Sequence, residues 1–368
     1  MLRINIVYQN NNMPADVLPD IPAPDHGYTV TWSRQPQPTA DVVVYFNHYT
    51  YRREVHQQIC PQAAKVLYMY EPVAVDPVQY TKGVWQQFDA VMTWNTYLTQ
   101  QSDAFIFEAG AYYDLPYTDA YGVKMLPSIP KPAERERAIC QMIRDKYSLA
   151  PEACYALRRE AAHWFARNAR TRMDVYGKQP MPVRNYIGPA PKELTFSRYR
   201  YALCFENTYH PQWSHGYLSE KMFDCMALGT VPIYYGCSNI EALVPPECYL
   251  DYRAFSSWAA LDEKLQTMSD QEYLDRVHAM REFFTRYNPP HTHSIHRMYE
   301  TVARWQQQRP ARPIPPDWPA DYWDLSSGPG RMRLTLMRWL LPHHRYCDPW
   351  FKIVRTAHHW CHVLSSDA

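Results

Sequence analysis

Short, continuous runs of apolar residues recur through residues 1–130, separated by polar or helical stretches. The runs read RINIVY (3–8), DVVVYF (41–46), KVLYMY (65–70) and FDAVMTW (88–94). Strands that are apolar on both faces, with crossovers between them, are typical of a parallel sheet covered by helices on both sides. This first region is therefore predicted to be an α/β domain built around a mostly parallel sheet.

The apolar runs of this first domain end on polar side chains. Asn47 follows the second run, Glu71 follows the third and Asn95 follows the fourth. Open parallel sheets bind their ligands at the carboxyl ends of the strands. We therefore expect these three side chains to line one rim of the domain, where a ligand could reach them.

The alternation of strands and helices starts again in residues 131–308, the predicted second domain. Its apolar runs are RAICQMI (137–143), TRMDVYG (171–177), RYALCFEN (200–207) and TVPIYYG (230–236). A helix from about Ser219 to Leu228 is predicted between the last two runs, which gives a strand–helix–strand unit of the right-handed type. The two regions together predict two doubly wound domains with a cleft between them.

The last part of the chain differs in composition. Residues 309–330 are rich in proline and end in Gly-Pro-Gly, which predicts a linker. Residues 331–368 are basic and aromatic, and their leucines and methionines form an amphipathic pattern that Pro342 interrupts. This basic amphipathic tail is predicted either to touch a membrane surface peripherally or to dock on its own protein.

Composition limits the class of protein more than its chemistry. The 368 residues are 46% hydrophobic and 20% charged, which is typical of globular chains, and no apolar run is long enough to predict a membrane span or signal peptide. A formal net charge of +1 argues against a nucleic-acid partner. The nine cysteines show no C-x-x-C spacing, so a reducing, cytoplasmic location is expected.

The stretch CFENTYHPQWSHGYLSEK places charged groups at both ends of a loop. Glu206 and Asn207 emerge at the carboxyl end of a predicted strand, and Ser219 begins the next helix. A helix N-terminus favours a phosphate, Lys221 adds a positive charge, and Glu220 could accept hydrogen bonds from sugar hydroxyls. The alternative, equally compatible with the spacing, is that Glu220 is an ordinary first-turn acid and Lys221 a solvated charge.

The run FENTYHPQWSHGYLSEKMFDCMALGTVPIYYG resembles the hallmark segment of the α-1,3-fucosyltransferases of glycosyltransferase family 10, in their bacterial type. The resemblance continues more weakly through MDVYGK, VRNYIG and VPPECYLDYRAF. It implies the GT-B arrangement of two Rossmann-like domains, with GDP-fucose in the second domain and the acceptor in the first. It also implies that the reaction has no obligatory metal, and the chain has no D-x-D motif.

The same resemblance implies roles for the donor-binding residues. Arg184 in VRNYIG and Lys221 would bind the diphosphate, and Tyr217 and Glu220 would contact the nucleotide. Glu206 and Asn207 would lie near the diphosphate or the fucose. From the residues alone, Arg184 is equally well a surface charge.

Glu71 resembles the catalytic glutamate of the family's acceptor domain. A glutamate of ordinary pKa, about 4.3, is ionised at neutral pH and can take a proton from an attacking hydroxyl. From the residues alone, Glu71 reads as an acid that closes a strand before a proline turn. Asp76 and Glu108 are the alternative bases.

Two features complete the prediction. The family's Ser/Asn-rich segment after the first strand of the donor domain is replaced here by QMIRDKYSLAPEACYALRRE, which puts the local sugar contacts in doubt. His210 and His215 flank the loop before the helix without a third ligand at metal spacing, so no metal site is predicted.

The resemblance implies an inverting transfer of L-fucose from GDP-β-L-fucose to a GlcNAc- or N-acetyllactosamine-type glycan, α-1,3 linked, on an acceptor such as lipopolysaccharide. The basic tail would hold the enzyme at the inner face of the membrane. A GT-B enzyme with another GDP-sugar and a catalytically silent glycan-binding scaffold are the alternatives.

Overall fold

The computed structural model describes residues 1–8, 22–23, 27–108, 126, 128–144, 146, 148, 150, 152–286, 294–309, 320, 322, 332 and 335. The chain forms two compact units, Met1–Ala320 and Asp321–Ala368. The predicted linker over 309–330 and the basic tail over 331–368 lie almost wholly outside the described residues. In the described part of the chain, no helix is long and apolar enough to cross a membrane.

The first sheet is built from seven strands. They are β1 (Leu2–Val7), β2 (Pro22–Ala23), β3 (Tyr28–Ser33), β4 (Val42–Phe46), β5 (Ala64–Met69), β6 (Ala90–Thr93) and β7 (Phe105–Phe107). Their order is β2-β3-β1-β4-β5-β6-β7, and every pair except β2 with β3 is parallel. The strand order reverses at β1 and β4, the kind of point where open sheets bind ligands.

The second sheet has six strands, all parallel. They are β8 (Glu136–Met142), β9 (Met173–Tyr176), β10 (Tyr186–Gly188), β11 (Tyr199–Phe205), β12 (Val231–Tyr235) and β13 (Leu250–Asp251). Their order is β10-β9-β8-β11-β12-β13, which is the Rossmann order. The order reverses between β8 and β11, so a ligand site is expected at the carboxyl ends of those two strands.

Helices and short 3₁₀ turns connect the strands. The α-helices are α1 (Arg53–Ile59), α2 (Lys82–Trp85), α3 (Thr96–Gln101), α4 (Tyr155–Asn168), α5 (Lys192–Phe196), α6 (Glu220–Ala227), α7 (Trp258–Thr267), α8 (Asp270–Arg286) and α9 (Ser294–Gln308). All five residues of β12 and all seven of β11 are buried or nearly so, because helices cover both faces of the sheet.

The last helix of the second region packs against the first sheet. Met298, Tyr299 and Val302 of α9 are buried in the core that contains strands β1, β3, β4 and β5. The Tyr299 hydroxyl accepts a hydrogen bond from Trp32 Nε1 at 2.7 Å. The helix that ends the predicted second domain therefore packs on the sheet of the first domain.

The predicted α/β class with two doubly wound sheets is confirmed. Each apolar run predicted as a strand is one, and the helix predicted from Ser219 begins at Glu220 with the Ser219 side chain as its cap. Strands β2, β3, β7, β10 and β13 were not predicted. Strand β3 alternates polar and apolar residues, and the other four have only two or three residues each, so none shows the continuous apolar pattern of a buried strand.

Candidate active site

Glu206 is a buried carboxylate at the carboxyl end of β11. Its exposed fraction is 0%. Its oxygens accept hydrogen bonds from the Ser219 backbone N–H at 2.8 Å and from the Ser219 hydroxyl at 2.6 Å. A Cβ on Gly236 would lie 2.4 Å from the Cβ and Cγ of Glu206, so a glycine is required where the chain leaves β12. Glu206 therefore holds the start of α6 against the ends of two strands.

Lys221 joins the two glutamates of the segment. Its Nζ lies 3.3 Å from Glu206 Oε2 and 3.6 Å from Glu220 Oε1, and it donates to the Ser219 hydroxyl at 3.0 Å. Burial would lower the pKa of Lys221, but Glu220 and Glu206 outweigh it and the pKa is raised. Burial would likewise raise the pKa of Glu220, but Lys221 and Lys192 outweigh it and the pKa is lowered. Lys221 and Glu220 are therefore held in their charged forms.

Arg158 is a site residue that the sequence analysis did not predict. It is buried on α4 and donates to the Phe205 carbonyl and, at 3.0 Å, to Asn207 Oδ1. Its charge also acts on Lys221 and on Lys146, which follows β8. Helix α4 belongs to the crossover that follows β8, at the point of strand-order reversal, but nothing in its sequence distinguishes Arg158 from the other arginines of the helix.

These residues form one group at the carboxyl edge of the second sheet, here called the α6 cluster. Its members are Arg158, Glu206, Asn207, Glu220 and Lys221. Four of them were predicted as donor-binding residues, and the structure brings all four together. The backbone N–H groups of a helix N-terminus and two cations converge there, which is an arrangement that binds phosphate.

The structure does not bring Arg184 to the α6 cluster. Arg184 is exposed and precedes β10, the edge strand that pairs with β9. The Asn185 side chain donates to the carbonyl of Met173, the first residue of β9, at 2.9 Å. Strands β9 and β8 separate β10 from β11, so Arg184 lies beside the lateral edge strand of the sheet, three strands away from the strand that Glu206 follows. The implied pairing of Arg184 with Lys221 on one diphosphate stays a prediction.

Tyr217 lies where the two sheets meet. It is 2% exposed, and its ring packs against the ring of Trp94 with centroids 4.7 Å apart. Burial raises its pKa well above the ordinary value, so the hydroxyl is neutral. Trp94 follows β6 of the first sheet, so Tyr217 connects the carboxyl edges of both domains.

The loop before α6 makes further contacts with the first domain. Asn95 caps α3 and its amide donates to the Trp213 carbonyl at 3.2 Å. The Thr96 N–H donates to the His215 carbonyl at 3.2 Å, and the Thr96 hydroxyl bonds the His215 ring. His210 Nδ1 accepts from the Gln212 N–H. Both histidines are thus engaged, and no group of three potential metal ligands occurs in the residues that the structure describes.

The backbone of Glu71 is held from three sides. Its N–H donates to Asn47 Oδ1 at 2.8 Å, and its carbonyl accepts from Gln79 Nε2 at 2.7 Å and from the Tyr80 hydroxyl at 2.9 Å. Asn47 itself has φ +64°, a conformation that asparagine tolerates better than most residues. The predicted rim is confirmed for Asn47 and Glu71, which follow neighbouring strands and touch.

The electrostatics of Glu71 connect it with the α6 cluster. Burial raises its pKa above the ordinary value, Lys146 and Lys221 act to lower it, and Glu220 acts to raise it. Glu71 belongs to the first sheet and these three groups to the second. The carboxyl edges of the two sheets therefore face each other across one site, with a carboxylate on one side and cations on the other.

The two alternative bases lie in different surroundings. Asp76 is 2% exposed, and burial followed by the charge of Glu71 raises its pKa to about 7. Glu108 is 4% exposed and accepts a hydrogen bond from the Thr301 hydroxyl of α9 at 2.9 Å. Asp76 thus neighbours Glu71, whereas Glu108 is engaged with the helix that covers the first sheet.

Comparison with known proteins agrees with this site. Residues 155–308 match the family model "Glycosyltransferase family 10 (fucosyltransferase) C-term". An α-(1,4)-fucosyltransferase of Arabidopsis thaliana is 35% identical over 74 residues, which are 20% of this chain and 18% of that protein. An α-(1,3)-fucosyltransferase of Helicobacter pylori is 28% identical over 100 residues, 26% of this chain and 20% of that protein.

The matched segments are short relative to those proteins, since none of the first curated relatives is covered over more than 28% of its length. The crystal structure of an α1,3-fucosyltransferase with GDP covers 80% of this chain and 92% of its own, with 16% identity and a TM-score of 0.48. All members of the α6 cluster lie within the matched residues. Residues 155–308 are therefore similar to the C-terminal domain of glycosyltransferase family 10 (fucosyltransferase), in agreement with the resemblance seen in the sequence.

Proposed function

We propose that this protein is an inverting fucosyltransferase. It moves L-fucose from GDP-β-L-fucose to a hydroxyl of a GlcNAc- or N-acetyllactosamine-type glycan, with an α-1,3 linkage. The observation that carries the proposal is the position of Glu71 opposite the α6 cluster, across the carboxyl edges of the two sheets. The identity of the donor is supported by the fucosyltransferase family match over residues 155–308.

The α6 cluster supports the donor half of the reaction. In the proposed mechanism, the bond between fucose C1 and the β-phosphate oxygen breaks, and the diphosphate leaves with the electron pair. The charge that grows on the diphosphate is stabilised by Arg158, Lys221 and the N–H groups at the start of α6. Asn207 is fixed by Arg158 at 3.0 Å, which positions its side chain at the same edge.

Glu71 supports the acceptor half. Its carboxylate takes the proton of the acceptor hydroxyl, and the hydroxyl oxygen attacks C1 from the face opposite the diphosphate, so a β-linked donor gives an α-fucoside. The raised pKa of Glu71 makes it a stronger base than an ordinary glutamate. Its clamped backbone keeps the carboxylate in one place, as a positioned base requires.

A group of aromatic side chains beside Glu71 supports a carbohydrate acceptor. Tyr8, Phe46 and Tyr70 are half-buried at the carboxyl ends of β1, β4 and β5, where the strand order reverses. The ring centroids of Tyr8 and Phe46 are 5.1 Å apart, and those of Phe46 and Tyr70 are 4.8 Å apart. Aromatic faces with a hydroxyl at one end suit the mixed apolar and polar surface of a sugar.

The direct test is GDP release from a panel of GDP-sugars, with lactose, N-acetyllactosamine and lipopolysaccharide as acceptors, in the presence and absence of EDTA. Acceptor-dependent release from GDP-fucose, unchanged by EDTA, is the expected result. Release from another GDP-sugar would support a glycosyltransferase but contradict the assignment of fucose as the donor sugar. Glycan binding without turnover of any donor would favour a silent glycan-binding protein.

A further inference from the structure

The cations of the α6 cluster are largely neutralised before any ligand arrives. Lys221 contacts Glu206 at 3.3 Å and Glu220 at 3.6 Å. Arg158 brings the second positive charge, so two cations and two carboxylates cancel. Glu71, ionised for catalysis, adds a negative charge to the same site. A multiply charged diphosphate would be repelled by these groups alone.

Lys146 is the additional cation at this place. It lies in the crossover between β8 and α4, close after the carboxyl end of β8, and its backbone carbonyl accepts a hydrogen bond from Arg159 at 2.8 Å. Strand β8 is the neighbour of β11, which carries Glu206 and Asn207 at its own carboxyl end. Lys146 therefore stands on the β8 side of the strand-order reversal, and Glu206 and Asn207 stand on the β11 side.

The charge balance at this point depends on the counter-ions of Lys146 in the described part of the chain. Its side chain is half-buried, yet no carboxylate among the described residues forms a salt bridge with it. Burial lowers its pKa, Glu71 acts to raise it, and Arg144, Lys221 and Arg158 act to lower it. A half-buried ammonium group with no carboxylate at salt-bridge distance is partly desolvated at a cost, and an anion bound in contact with it offsets that cost.

We propose that Lys146 binds the diphosphate of the nucleotide-sugar donor, as the cation that gives the site its net affinity for phosphate. This inference rests on the proposed function, since it takes the α6 cluster as the donor site. In it, Lys146 contacts phosphate oxygens from the loop after β8, Arg158 contacts them from α4, and the start of α6 contacts them from the β11 side. Lys146 lies outside residues 155–308, so the family match does not include it.

Donor binding would then also act on the base. In the free protein, Lys146 is the cation with the largest favourable effect on the Glu71 carboxylate. When a diphosphate pairs with Lys146, that support is withdrawn and the phosphate adds negative charge nearby, so the pKa of Glu71 rises further. Glu71 would thus become a stronger base once the donor is in place.

The test measures the affinity of GDP, UDP, GMP and guanosine by calorimetry for the full chain and three variants. Lys146→Ala is expected to weaken the binding of the preferred nucleoside diphosphate about tenfold or more, since a charge-assisted hydrogen bond is lost. Guanosine affinity should stay unchanged. Lys146→Arg should restore most of the affinity, and Arg144→Ala, which removes an exposed cation from the same loop, should change it less than twofold.

The outcomes separate this inference from the proposed function. Unchanged diphosphate affinity in Lys146→Ala would overturn the role of Lys146 while leaving the fucosyltransferase intact. Preference for UDP in the wild type would contradict the GDP-fucose assignment, and the same variants would still test Lys146 with UDP. Absence of nucleoside diphosphate binding in the wild type would overturn both. Equal melting temperatures of Lys146→Ala and wild type exclude misfolding as the cause of weaker binding.

Discussion

The carboxyl edges of the two sheets carry the two halves of the site, and they are assembled in different ways. In the second sheet, Glu206, Ser219, Lys221 and Gly236 come from one strand, one helix and the next strand, so neighbours in sequence are neighbours in space. In the first sheet, Glu71 is held by Asn47 from another strand and by Gln79 and Tyr80 from the following turn. A local sequence motif can therefore identify one half of a site, whereas the other half is recognised only from tertiary packing.

The largest expected effect is the loss of turnover when the proposed base in the first sheet is removed. Glu71→Gln keeps the size of the side chain and the hydrogen bonds of the Glu71 backbone. Its amide cannot accept the proton, so the kcat of transfer should fall about 10²–10⁴-fold. GDP affinity should stay close to that of the wild type. Glu108→Gln is the matched control, because it alters a buried glutamate of the same domain that bonds Thr301. Equal loss of kcat in both variants would argue against Glu71 as the base.

The next largest effect is on donor binding, in the half of the site that belongs to the second sheet. Arg158→Ala removes a cation and its hydrogen bonds to Asn207 and the Phe205 carbonyl, so the Kd of GDP should rise about 10- to 100-fold. Arg167→Ala, at an exposed position near the end of the same helix, should leave the Kd unchanged. Calorimetric titration measures both. A similar Kd for Arg158→Ala and wild type would remove Arg158 from the phosphate site.

A change in packing tests whether the stability of the second sheet depends on the close contact between Gly236 and Glu206. Gly236→Ala places a Cβ 2.4 Å from Glu206, so the free energy of unfolding should fall by about 1–3 kcal/mol. Gly83→Ala should not destabilise the protein, since a Cβ there meets nothing within 4 Å. Urea denaturation of the two variants gives the comparison. Equal stabilities would show that β12 can shift away from Glu206 at little cost.

A further effect concerns Asp76 and the pH dependence of stability. Its pKa is raised from 3.8 to about 7 in the folded protein, so its contribution is stabilising at low pH and is lost as the pH rises through about 7. Asp76→Asn does not titrate. The variant should therefore gain stability relative to wild type between pH 5 and pH 8, as measured by urea denaturation. A constant difference between the two proteins would contradict the raised pKa.

The sequence predicted the parallel strands and α6 because continuous apolar runs and a serine cap are local signals. It did not predict that α9 packs on the first sheet, since that contact joins residues far apart in the chain. Arg158 was missed because an arginine on an amphipathic helix is identified as a site residue only by what its side chain meets. Arg184 was assigned from resemblance, and the strand order places it beside β10, which β9 and β8 separate from β11.

We propose one site in which the first sheet supplies the base and the second sheet binds the donor. The most direct measurement is turnover of GDP-fucose and affinity for GDP on the same preparations of wild type, Glu71→Gln and Arg158→Ala. We expect Glu71→Gln to lose turnover and keep its affinity for GDP, whereas Arg158→Ala should lose affinity for GDP. Turnover by Glu71→Gln at the wild-type rate, or undiminished GDP affinity of Arg158→Ala, would contradict it.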